Sequence, residues 1–197
     1  MASDGDLAPC CLAAAQGDDD PGLNENASLA ICNLVFRNVP NKTSVWQCGG
    51  INDLCTLADT GTSVAKSSAL NALRRMFFDT PAQTRAPEEV AAYRSPPIEE
   101  AMCQAGVAKA FVDSLGEHDV HNNEVLDEEA MCGVEKMLHS HNPLVRQALL
   151  ETNLREVLQR MLDETVYRAN HVEFSRRASR LLDTPPGQQP VWRLEVG

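Results

Sequence analysis

Two histidine pairs come nearest to a metal site in this sequence. His118 and His121 are three positions apart, and His139 and His141 are two apart. Such pairs on a loop can bind zinc, but no Cys-x-x-Cys or His-Glu-x-x-His accompanies them. His139 and His141 also stand where a helix should end, a place that favours histidine because of the helix dipole. We therefore predict no metal site and no cofactor.

Other residue patterns that carry chemistry are incomplete. The acidic run 18–20 lacks the glycine and the final glutamate of a calcium loop, and Gly49-Gly50 lacks the glycine and lysine that complete a phosphate-binding loop. The sequence also has no Gly-x-Ser-x-Gly nucleophile motif. We predict no catalytic residues and no enzyme, with an enzyme built from scattered residues or a metal protein as the remaining alternative.

The cysteines favour a reducing compartment. The chain has seven, an odd number, and they have no framework spacing. Most occupy positions that a helical pattern would bury, where a free thiol behaves as a small apolar group. Cys10-Cys11 is either a redox or lipid-modified pair or part of a packed helix, and we favour packing. With no basic, apolar leader at its start, the sequence predicts a cytoplasmic or nuclear protein.

Charge and composition exclude several classes of partner. The net charge of −11 disfavours binding to nucleic acids and anionic membranes, and no apolar run reaches the roughly 18 residues of a membrane span. Residues 113–153 hold nine acidic and two basic side chains, whereas 154–197 hold seven basic and six acidic. Only 5% of residues are aromatic, and the apolar content favours packed helices over strands. We predict an all-α fold that binds another protein.

Four similar segments of the sequence predict the long helices of a repeat protein. Each has a small residue four positions before a large aliphatic one. The small side chain lets a neighbouring helix approach closely, and the aliphatic side chain one turn later fills the groove beside it. The small residues are 42, 61 and 45 positions apart, and armadillo and HEAT repeats are about 40–47 residues long. The four pairs are Ala30 with Leu34, Ala72 with Met76, Gly133 with Met137, and Ala178 with Leu182.

The spacing of 61 positions between Ala72 and Gly133 is longer than one repeat because of the segment between them. Residues 79–97 contain four prolines and no sustained apolar period, which predicts an insertion looped out between helices. Removing roughly 15–20 residues brings the spacing back into the repeat range.

A second pattern lies between the four segments, at 40–57, 97–112 and 143–158. Each copy predicts a short helix that begins near a proline, a left-handed stop residue, and then an amphipathic helix. Gly49 is the stop in the first copy and Asn153 in the third. Capping signals precede several helices, at Thr62 or Ser63, at Asn123 and at Asn142.

This order of helices resembles the armadillo repeat. Gly49-Gly50-Ile51 and Ala30-Ile-Cys-Asn-Leu34 are similar to the family's Gly-Gly-Ile and Ala-Leu-x-Asn-Leu signatures. The resemblance covers 22–183 as about three repeats of a short right-handed α-solenoid. Residues 1–21 are then a partial repeat or cap helix, and 184–197 a flexible tail. The insertion and Asn153 depart from the family pattern, so HEAT-like repeats are the second choice.

The resemblance implies a partner-binding groove. In armadillo proteins the third helix of each repeat lines a concave groove that holds an extended segment of another protein, and an asparagine often binds the partner's backbone. Asn33 matches that asparagine, whereas Arg75 and Lys136 occupy the equivalent positions and would make the groove cationic. The implied groove residues, which favour an acidic partner segment, are Asn33, Arg74, Arg75, Lys136, Arg176 and Arg180. Ordinary solvated helix charges are the alternative interpretation.

A second function also fits a short array of repeats. An incomplete repeat exposes an apolar flank, and such flanks are covered by other chains or associate. The alternative is therefore a structural subunit that docks through its ends on a larger complex.

Overall fold

A computed structural model describes residues 21–77, 95–115, 124–138, 140, 142–165 and 172–183. All regular structure in these ranges is helical, as the composition predicts. The ten helices are α1 Pro21–Val35, α2 Val39–Gln47, α3 Gly50–Thr60, α4 Ser63–Phe77, α5 Pro96–Gln104, α6 Val107–Ser114, α7 Glu124–Leu138, α8 Pro143–Leu150, α9 Leu154–Thr165 and α10 Val172–Asp183.

From α1 to α8, helices three places apart in this order pack against one another. The long helix α1 lies against α4, and α4 lies against α7. The short helices α2, α5 and α8 contact one another in succession, and α3 contacts α6. The four similar segments of the sequence fall within α1, α4, α7 and α10, so the small-and-large pattern did identify the long helices.

Helix starts follow the predicted local signals. Asn142 accepts a hydrogen bond from the Leu144 amide at the start of α8, and Thr62 accepts one from the Ala65 amide at the start of α4. Prolines occupy the first turns of α2, α5 and α8, where a missing amide proton costs nothing. These capping predictions are confirmed. Asn123 lies outside the described residues.

Turn geometry confirms one stop residue and corrects another. Gly49 has a φ of 82°, in the left-handed region that glycine enters freely. The prediction for Asn153 is wrong, because Arg37 is the only described residue other than glycine with a positive φ, at 52°. Thr152 instead organises this turn. Its hydroxyl donates to the Leu149 carbonyl at 2.6 Å and accepts from the Leu154 amide at 3.3 Å.

The core explains why the small residues recur. Ala72, Gly133 and Ala178 are buried, as a close helix approach requires. At Gly133 the approach is tightest, since an added Cβ would lie 2.3 Å from Cε1 of the buried Phe111 on α6. Ala30 on α1 is only half-buried.

Several predictions concern residues outside the described ranges. Most of the segment 1–21, the tail 184–197, Cys10-Cys11 and the acidic run 18–20 belong to this group. The insertion predicted at 79–97 is shorter at its end, because 96 and 97 already form the first turn of α5. Its residues 79–94 are not described.

Candidate partner-binding surface

The outward sides of the four long helices form one candidate surface. On α4, Val64, Ser67 and Asn71 follow the i, i+3, i+7 spacing of one helix side and are exposed or half-buried. We call the corresponding sides of α1, α4, α7 and α10 the third-helix face. It is marked by one residue on each of these helices in turn: Asn33, Asn71, Lys136 and Arg180. All six groove residues predicted from the sequence lie on these four helices.

Four of the predicted residues are open to solvent to different degrees. Asn33 on α1 is exposed, as are Arg176 and Arg180 on α10. Lys136, in the last turn of α7, is half-buried. Their role in binding stays a prediction.

Arg75 contributes to the packing between α4 and α1. Its Nε donates to Oδ1 of Asn71 at 3.0 Å, and its Nη1 donates to the carbonyl oxygen of Cys32 at 3.3 Å. Its guanidinium carbon also lies 4.8 Å from the centre of the Phe36 ring. Arg75 is therefore a fixed part of the surface.

Arg74 joins α4 to the opposite neighbour. Its Nε forms a 2.8 Å ion pair with Oε2 of Glu129 on α7, and its Nη2 donates to Oδ1 of Asn71 at 3.0 Å. Only 20% of the Arg74 side chain is exposed, so most of its charge is directed at Glu129. Arg74 therefore connects α4 to α7, and a partner would have to compete with this ion pair.

Asn71 is the residue that sequence reasoning missed on α4. A single oxygen, Oδ1, accepts from both arginines and directs one towards α1 and the other towards α7. Its amide nitrogen donates to no other described side chain or carbonyl, and so remains available at the surface. The i, i+3, i+7 spacing from Val64 could have identified it, but the alignment of the four segments directed attention to Arg75.

A second missed residue, Arg177, joins α10 to α7. Its Nε and Nη2 donate to the two carboxylate oxygens of Glu135 at 2.7 and 2.8 Å, and its Nη1 donates to Glu128 at 2.7 Å. Burial alone would lower the pKa of Arg177, but the hydrogen bonds and charge of Glu135, with Cys132 and Glu128, raise it above its ordinary value. Arg177 thus stays charged and holds α10 in place.

The acids of α7 correct the predicted charge of the surface. Glu128, Glu129 and Glu135 lie between the arginines of α4 and α10 and pair with them. Arg75 and Lys136 predicted a cationic groove, but the third-helix face carries both signs at α7. Unlike charges attract strongly enough at these distances to place the acids beside the arginines.

The described cysteines are free thiols. Burial raises the pKa of Cys55 to about 12, and it raises the pKa of Cys132 as well, with a further contribution from Glu128. Since the thiolate is the reactive form, neither residue is suited to nucleophilic chemistry near neutral pH. Cys32 is buried, as the sequence predicts, whereas Cys48 is exposed.

Metal and membrane sites can be judged only within the described ranges. There, histidine, cysteine and carboxylate side chains form no group of three that could hold a metal ion. His118, His121, His139 and His141 lie outside these ranges. None of the helices assigned here has both the length and the apolar character that crossing a bilayer requires.

Comparisons with known proteins give the fold class. No protein-family model matches the sequence, and no curated protein matches it significantly. Two engineered proteins, with crystal structures from the Northeast Structural Genomics Consortium, are similar with TM-scores of 0.64 and 0.63 at 16% identity. The matches cover 88% and 90% of this chain, which spans 60% of the first protein and 36% of the second. At this identity the likeness concerns the fold alone: an all-helical chain for which a helical repeat is plausible.

Proposed function

We propose that this chain is a non-catalytic interaction module of armadillo type, which binds a segment of another protein along the third-helix face. The order of helices supports the assignment, because a short helix, a second helix and a long helix follow one another three times after α1. Packing between helices three places apart, found from α1 to α8, is what a stack of such units requires. The free thiols fit a cytoplasmic or nuclear protein.

The observation that carries the proposal is the arrangement around Asn71. Its oxygen is occupied by Arg74 and Arg75, so the amide is fixed with its nitrogen as the remaining hydrogen-bond donor. A fixed donor binds a backbone carbonyl with little loss of side-chain entropy. The resemblance to armadillo proteins implies such an asparagine at the position of Asn33. On α4 that position is Arg75, and Asn71, one helical turn before it, supplies a comparable donor.

The charges on the remaining part of the face indicate the chemistry of the partner. Arg176 and Arg180 are exposed on α10, and Lys136 lies on the neighbouring helix α7. We infer a partner segment that runs across the helices as an extended chain and carries acidic side chains towards α10. Complementary charges of this kind increase the rate and specificity of association more than its final affinity.

The test is capture of binding proteins from a native lysate by a charge-reversed variant. We choose Lys136→Glu with Arg180→Glu, because reversing Arg75 would also break its bond to Cys32 and the packing of α1. The proposal expects selective loss of a few bound proteins while the helical circular dichroism is unchanged. The matched control is Arg155→Glu with Arg160→Glu, which reverses the same number of charges at exposed positions of α9.

Two results would contradict this function. One is an identical set of bound proteins for wild type and the Lys136 and Arg180 variant. The other is equal loss from the α9 control, which would assign binding to net charge alone.

A structural subunit that docks through its ends is the second candidate. Large apolar side chains are exposed at the first described helix and near the last repeat: Leu29 on α1 at 52%, and Leu144 and Leu150 on α8 at 51% and 58%. Exposed leucines of this kind often mark surfaces that another chain covers. This function predicts that Leu144→Ser with Leu150→Ser abolishes capture and that the charge reversals do not.

A further inference from the structure

Phe36, just after α1, is an exposed aromatic residue that contacts two cations. Its side chain is among the large apolar groups open to solvent, with 47% of the residue exposed. The guanidinium carbon of Arg37 lies 4.9 Å from the ring centre, and that of Arg75 lies 4.8 Å away. Both distances are within the range of cation–π attraction. One ring therefore gathers two positive charges at the surface, one from the turn after α1 and one from α4.

The backbone of Arg37 gives a second, independent observation. Its φ of 52° lies in the left-handed region, which costs an ordinary residue free energy that glycine avoids. The other two described residues with positive φ, Gly49 and Gly106, are both glycines. An arginine at such a position is less stable than a glycine would be, so what it contributes must come from its side chain. That side chain stacks on Phe36.

Arg75 is oriented before any ligand arrives. Asn71 holds its Nε and the Cys32 carbonyl holds its Nη1. A guanidinium has five N–H donors, so three remain after these two bonds, including both on Nη2. A fixed, planar fork of this kind matches the geometry of a carboxylate or a phosphoryl group.

We propose that Phe36, Arg37 and Arg75 form a recognition site for an oxyanion on the partner segment. The site deepens the proposed function and rests on it, because it lies at the junction of α1 and α4 on the third-helix face. The two guanidiniums bind the oxyanion, and the Phe36 ring holds both of them near it, at 4.9 and 4.8 Å from its centre. The oxyanion is a side-chain carboxylate or the phosphoryl group of a phosphorylated residue, since both present the same planar pairs of oxygens.

The first test follows the arginine Nε–Hε resonances of the full-length protein during peptide titration. Three capped tripeptides are compared: Gly-Glu-Gly, Gly-phosphoserine-Gly and the neutral Gly-Gln-Gly. The proposal expects saturable shifts of Arg37 and Arg75 with at least one anionic peptide and none with the neutral one. Binding of both anionic peptides identifies a general oxyanion site, whereas binding of phosphoserine alone identifies a phosphoryl site. Equal shifts with all three peptides, or no shift with any, would overturn it.

Variants separate recognition from folding. Arg37→Gly relieves the left-handed backbone, so we expect a higher melting temperature together with oxyanion binding that is weaker by roughly tenfold, the usual order for one lost charge-assisted hydrogen bond. Phe36→Leu should weaken binding in the same direction, and Arg155→Gln on α9 should leave it unchanged. Full affinity in the Arg37→Gly variant would refute the assignment.

The two proposals can fail separately. Peptide binding at Phe36 with no change in lysate capture by the Lys136 and Arg180 variant would refute the proposed function and retain the oxyanion site. Selective loss of captured proteins in that variant, without peptide binding at Phe36, would retain the proposed function and refute the oxyanion site.

Discussion

Replacing Gly133 by alanine tests the close approach of α7 to α6. Glycine in the interior of a helix is ordinarily worse than alanine by about 1 kcal/mol, so a freely accommodated Gly133→Ala change would stabilise the protein by that amount. Here the new methyl group would meet three carbons of the Phe111 ring at 2.3, 2.4 and 2.7 Å. Ordinary carbon contacts are about 3.5–4.0 Å, so the ring or the helix must move.

The size of the effect follows from the burial of Phe111. That side chain is fully buried, so the ring cannot turn out into solvent to make room. Overpacking of a core costs about 1–3 kcal/mol, and three short contacts place this case near the upper value. After the gain in helix propensity, we expect a net loss of about 2 kcal/mol. For a chain of this length that corresponds to a fall in melting temperature of roughly 4–8 °C.

The assay is a double-mutant cycle in urea or by thermal unfolding. Phe111→Leu alone should cost about 1–2 kcal/mol through lost packing. Combined with Gly133→Ala it should cost less than the sum of the single changes, because the methyl group enters the space that the ring vacates. Gly22→Ala, at an exposed position of α1, is the control and should not destabilise. A Gly133→Ala protein that is more stable than wild type would refute the predicted contact.

Three further predictions concern charge, capping and pH. Arg177→Gln removes the ion pairs with Glu128 and Glu135 and should cost about 2 kcal/mol in urea unfolding, an effect that should shrink in 1 M salt. Unchanged stability would contradict the role assigned to this residue. Asn142→Ala removes the α8 cap and a 3.1 Å hydrogen bond to buried Glu99, so it should cost about 2 kcal/mol of stability. Asn38 only caps α2, so Asn38→Ala should cost about 1 kcal/mol. Equal costs for the two variants would count against the Glu99 bond. The raised pKa of Cys55, about 12, means that the folded state keeps a proton that the unfolded state releases near its ordinary value of 9.0; this stabilisation is complete below pH 9 and is lost between pH 9 and 12. Replacing Cys55 by alanine should therefore reduce the fall in stability between pH 8 and 10 by about 1 kcal/mol, and an identical fall would contradict the raised pKa of Cys55.

The helices could be predicted because their signals are local. The small-and-large register, the prolines in first turns and the glycine at 49 act within a few residues, and each corresponds to the helices and turns observed. The exception at Asn153 is also local. A threonine hydroxyl can close a turn in place of a left-handed residue, and a one-letter pattern does not distinguish the two solutions.

The surface was harder to predict because its contacts are distant in sequence. The partners Arg74 and Glu129 are 55 positions apart, and Arg177 and Glu135 are 42 apart. A sequence shows which arginines are on a helix but not which carboxylate faces them after the helices stack. The residues predicted for the groove therefore lie on the four repeated helices, while Asn71, Arg177 and the acids of α7 were not predicted.

Site-specific photo-crosslinking tests the central claim most directly. A benzoylphenylalanine placed at exposed Asn33 on α1 is compared with one at Gln159 on α9 and one at Leu144 on α8, all three open to solvent. If a partner segment lies on the third-helix face, the crosslinker at 33 should attach to a captured protein and the other two should not. Crosslinks from 144 alone would show that partners dock at the end of the chain, and would contradict the proposed function.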